Sequence, residues 1–75
     1  MKERLYAGLA EALEIEVDEI KDEDQFRDYD HYDSLTELSI LALLDEEFGV
    51  ELEMPAYNSC QTVRDLLLLI ANKNS

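Results

Sequence analysis

The sequence predicts an all-α domain, a small four-helix bundle of three main helices and one short helix, with a long loop between the first two. Three observations carry this. Apolar residues recur at helical spacing in three stretches, Ser, Thr and Asp stand where two of those stretches begin, and only two Gly and one Pro interrupt 75 residues, which disfavours a turn-rich β fold. The length is near the lower limit for one core, so residues 1–75 are expected to form a single domain.

Leu5, Leu9, Ala12 and Leu13 mark a first amphipathic helix from about Lys2 to Glu14. From Ile15 to Asp33 no period persists, acids abound, and Ile15, Val17, Ile20 and Phe26 are scattered apolar anchors, which predicts a long structured loop. The second helix is expected over Ser34 to Phe48, ended by Gly49. Two start signals overlap there: Asp33 as N-cap, and Ser34 with Glu37 as a capping box. Met54 to Cys60 fits one short helical turn after Pro55. Thr62 and Asp65 then form a box-like start for a last helix whose core stripe is Val63, Leu66, Leu67 and Ile70.

The second helix has two apolar sides. A step of about 100° per residue places Ile40, Leu41, Leu44 and Phe48 on a core face and leaves Leu35, Leu38 and Ala42 opposite, among Ser39, Asp45 and Glu46. An apolar stripe rimmed by carboxylates is costly to bury, so it reads as a docking surface.

Charge and composition exclude several functions. Nineteen acidic against six basic side chains give a formal net charge of −13, which repels nucleic acid and favours partners with basic patches. No stretch is long and apolar enough for membrane insertion, and the N-terminal stretch lacks a signal peptide's apolar core, so a cytoplasmic monomer is expected. Cys60 has no disulfide partner within the chain and is expected to be buried. His31 and Ser34 lack a nucleophile elbow, so His31 reads as a solvated loop residue and no hydrolase is expected. Calcium-loop frames starting at Asp22 or Asp28 fail at their required glycines, and the Cys and His needed for a zinc site are missing, so no metal site is expected.

Asp33-Ser34-Leu35, followed by a helix ending Asp45-Glu46-Glu47-Phe48, closely resembles the motif of acyl carrier proteins. Phe26 seven residues before Asp33, Ile15 and Ile20 in the loop, and Thr62-Val63 at the last helix extend the resemblance over essentially the entire chain. It implies a non-enzymatic carrier in which Ser34 bears a 4′-phosphopantetheine arm derived from coenzyme A. Asp33 and Leu35 would present that serine to a phosphopantetheinyl transferase, and the arm's thiol would hold acyl groups as thioesters. Leu35, Thr36, Leu38, Ser39, Ala42, Asp45 and Glu46 would meet acyltransferases, ketosynthases or acyl-ligases of fatty-acid or specialised acyl or polyketide biosynthesis. The family's apolar core also implies shelter for an acyl chain among Ile40, Leu44 and Leu67.

The family's usual Leu-Gly is replaced by Asp30 and His31, Tyr32 adjoins the motif, and Ser39 stands where a glutamate is common. These departures point to a dedicated pathway. A peptidyl or aminoacyl carrier with the same arm is the alternative, disfavoured by Asp33, and an unmodified acidic interaction module is a third reading.

Overall fold

The computed structural model describes residues 2–74, so the first and last residues of the expected 1–75 domain lie outside the described residues. Its helices are α1 (Lys2–Leu13), α2 (Ser34–Phe48), α3 (Met54–Ser59) and α4 (Val63–Asn74), the all-α arrangement expected. Among the described residues the extended pairing is a single isolated bridge, Gln25 to Thr62.

Helix α1 buries Leu5, Leu9, Ala10 and Leu13 as one stripe. It ends one residue earlier than expected because Glu14 takes a left-handed conformation, φ 58°. The Ile15 N–H donates to the Ala10 carbonyl at 3.0 Å and the Glu14 N–H to that of Glu11 at 3.4 Å, so two of the last carbonyls of the helix find partners. Gly8 sets the approach to α2, since a Cβ there would fall 2.5 Å from Leu43 Cδ1. Arg4 fastens the other end of that contact. It donates to the Glu47 carboxylate at 2.6 Å and to the Glu47 carbonyl at 2.8 Å, supplying a partner to one of the orphan groups at the end of α2.

The 14–33 connection is structured, and hydrogen bonding explains why. Two short 3-10 turns, Val17–Glu19 and Phe26–Asp28, supply part of its backbone pairing. Its carbonyls also serve α4: Asp24 accepts from the Val63 N–H at 3.0 Å and Asp22 from the Arg64 N–H at 2.9 Å. The donors left unpaired at a helix start thus pin the loop to the bundle. Ile20 and Phe26 are buried anchors and Ile15 is half-buried, whereas Val17 stands 45% exposed because its 3-10 turn points it outward. The radius of gyration, 11.1 Å, matches the ~11 Å of a globule this size, so the loop is packed onto the helices.

Helix α3 starts at Met54 as expected, with Pro55 in its first turn, ends at Ser59 with Cys60 as its C-cap, and sends Tyr57 into the core. The start of α4 is the reciprocal box expected. The Asp65 N–H donates to Thr62 Oγ1 at 3.2 Å, and Asp65 Oδ2 accepts from the N–H groups of Gln61 and Thr62 at 2.8 and 3.1 Å. Those backbone bonds, Gln61's first, hold the Asp65 carboxyl below the usual carboxylate range. Val63, Leu66 and Ile70 complete the core, with Ile40 and Leu44 of α2 fully buried opposite, while Leu41, Phe48 and Leu67 are only half-buried at its margin.

Candidate functional site

Ser34 is the first residue of α2, with Asp33 as the N-cap. Of the two start signals, Asp33 prevails: its Oδ1 accepts from the Thr36 N–H at 2.9 Å, and its carbonyl accepts from the Glu37 N–H at 2.9 Å. The Ser34–Glu37 box does not form, because Ser34 already sits inside the helix rather than at its cap. The Ser34 side chain is exposed and makes no hydrogen bond among the described residues. Asp33 is kept ionised well into acid by the Thr36 N–H, and next by the Thr36 hydroxyl.

Thr36 is a correction to the expected docking surface. It is only 6% exposed, and its hydroxyl donates inward, to the His31 carbonyl at 2.9 Å and to Asp33 Oδ1 at 3.0 Å. Its place on α2 directs the methyl and hydroxyl under the cap, so it braces the loop and offers a partner nothing. Leu35 and Leu38 are 73% and 62% exposed, and Ser39, Ala42, Asp45 and Glu46 are exposed beside them. A groove of about 540 Å³ lies between this face and α1, lined by Gly8, Ala12, Ser39 and Ala42 among carboxylates of both helices.

His31 is exposed, its Nδ1 3.8 Å from Glu14 Oε2. Cys60 is buried, with its Sγ toward the Ala56 carbonyl. Among the described residues no three His, Cys, Asp or Glu side chains gather to hold a metal ion, and no helix is long and apolar enough to cross a membrane.

Between the 14–33 connection and α3 lies a cluster that periodicity does not reveal. Arg27 donates to the Tyr57 carbonyl at 3.0 Å and to the Cys60 carbonyl, and its guanidinium lies 4.7 Å from the ring centres of both Phe26 and Tyr57. The available signal was compositional: an Arg directly after the loop Phe, with tyrosines at positions 32 and 57.

The family model described as the phosphopantetheine attachment site matches residues 3–70. An acyl carrier protein of Thermosynechococcus vestitus is 32% identical over 71 residues, covering 95% of this chain and 88% of that protein. The chain belongs to the phosphopantetheine-bearing acyl carrier protein family. It is therefore a carrier and not an enzyme, and it bears 4′-phosphopantetheine covalently. The donor set of this carrier protein suits such a group: an unpaired, accessible hydroxyl stands where a helix start favours an anionic phosphate, although the adjacent Asp33 opposes it by like-charge repulsion.

Proposed function

We propose that Ser34 is the attachment residue and that this carrier delivers acyl thioesters to enzymes of fatty-acid or, given Asp30, His31, Tyr32 and Ser39, a dedicated acyl or polyketide pathway. The supporting observation is the Ser34 hydroxyl, exposed and unpaired at the start of α2 and flanked by Asp33 and Leu35. A phosphopantetheinyl transferase brings coenzyme A and Mg²⁺. The Ser34 oxygen bonds to the arm's phosphorus, the diphosphate linkage breaks, and the adenosine bisphosphate half departs as the serine proton passes to a base. Asp33 fixes the helix start by capping it, so the hydroxyl emerges from a defined turn.

Leu35, Leu38 and Ala42 then form the apolar part of the partner contact, with Ser39 beside them, and Asp45 and Glu46 steer basic patches toward it, which raises the encounter rate without slowing release. The whole chain acts as one carrier domain, a monomer in the cytoplasm. Co-expression with a broad-specificity transferase followed by intact-mass measurement tests this. Wild type gains one arm and Ser34→Ala gains none; an arm on Ser34→Ala, or none on wild type, overturns the assignment. Loading of the holo protein by amino acids with no fatty-acyl transfer would instead identify a peptidyl carrier.

A further inference from the structure

The three residues before Ser34 are each tied down. The His31 carbonyl accepts from the Thr36 hydroxyl, Asp33 Oδ1 accepts from the Thr36 N–H, and the Tyr32 hydroxyl lies 2.7 Å from that of Tyr57. The first two ties are local, from residues 31 and 33 to Thr36 in the first turn of α2. The third spans 25 residues and reaches α3.

Its donor follows from burial. Tyr57 is fully buried, so its proton needs an acceptor inside the protein, while half-buried Tyr32 can give its own proton to water; Tyr57 therefore donates and Tyr32 accepts. Burial, and then the bond to Tyr32, raises the Tyr57 pKa, so the link persists as a neutral hydrogen bond. The anchor is itself rigid: Phe26 packs tilted against both rings, at 6.1 Å from Tyr32 and 5.7 Å from Tyr57, and Arg27 clamps the carbonyls of Tyr57 and Cys60.

We propose that Tyr32 and Tyr57 are positioning residues for arm attachment: their hydroxyl pair holds the backbone leading into Ser34 against α3, so the attaching enzyme meets the serine oxygen in one place. This rests on Ser34 as the attachment residue. Neither tyrosine touches the reacting atoms. Release of this one tie, while the bonds within residues 29–37 remain, widens the distribution of the nucleophile without freeing it, and because a misplacement of 1 Å costs about 100-fold, a partial loss of about three- to tenfold is expected.

Tyr32→Phe, Tyr57→Phe and the double variant separate positioning from mere stability. Tyr32→Phe leaves a buried hydroxyl without its acceptor and lowers Tm, whereas the double variant removes both hydroxyls and regains most of that loss. Transferase kcat/KM, measured below every Tm, follows a different order: wild type is fastest, and the double variant remains about three- to tenfold slower despite its recovered stability. Amide relaxation of residues 31–34 in the double variant shows the added motion. A double variant with wild-type kcat/KM, or unchanged relaxation at these amides, overturns the proposal. Failure of wild type to take the arm, or attachment to Ser34→Ala, instead overturns the serine assignment.

Discussion

Arg27→Ala is expected to remove a large share of this protein's stability. The guanidinium donates to two carbonyls at the end of α3 and lies against two aromatic rings, all from a half-buried position on the loop. Hydrogen bonds from a charged donor are each worth about 1.5–3 kcal/mol, and each ring contact about 0.5–1 kcal/mol. The contributions overlap and water screens part of the charge, so a net loss of about 2–4 kcal/mol follows. A 75-residue domain has about 4–11 kcal/mol in all, which makes this loss a third or more of the whole at mid-range. Urea unfolding followed by circular dichroism measures it. Arg27→Lys should recover less than half, because an ammonium cannot reach both carbonyls and stack on both rings. A change below about 0.5 kcal/mol for Arg27→Ala, or a Lys variant as stable as wild type, refutes the clamp.

Three further outcomes are expected. Gly49 ends α2 at φ 66° with open space around it, so Gly49→Ala adds strain without a clash and should cost about 1 kcal/mol, a fall of about 4–8 °C in Tm; unchanged melting would show that the turn tolerates a side chain. Leu38→Glu, at a position 62% exposed, should leave Tm unaltered and cut turnover by partner enzymes about tenfold, and normal turnover would remove this stripe from the contact surface. Asp33 and Asp65 both have depressed carboxyl pKa values in the folded state, so their contribution is full above the unfolded value near ~3.9 and is lost as pH falls through the lower folded values. Thermal melts of Asp65→Asn should therefore decline less steeply in acid than those of wild type, and equal slopes would contradict the assigned cause.

Local signals were readable and distant pairings were not. The bounds of α2 follow from a cap at Asp33 and a left-handed Gly49, both of which act within one turn of the residues that reveal them. The Thr62–Asp65 box is equally local. By contrast, the competition between Asp33 and Ser34 for the cap is decided by backbone geometry, and the burial of Thr36 follows from the path of the loop above it. Val17 looked like an anchor by type, but a 3-10 turn has a different period from a helix and turned it outward. The Tyr32–Tyr57 pair and the Arg27 clamp join residues 25 to 33 positions apart, where no spacing rule applies.

Cys60, the chain's one cysteine, is buried at the C-cap of α3, and burial first, then Asp65, raises its thiol pKa. A holo carrier thus presents a single reactive sulfur, the one at the tip of the arm. Transfer of cargo onto the protein's own side chain, and cross-linking of two carriers through it, are thereby disfavoured.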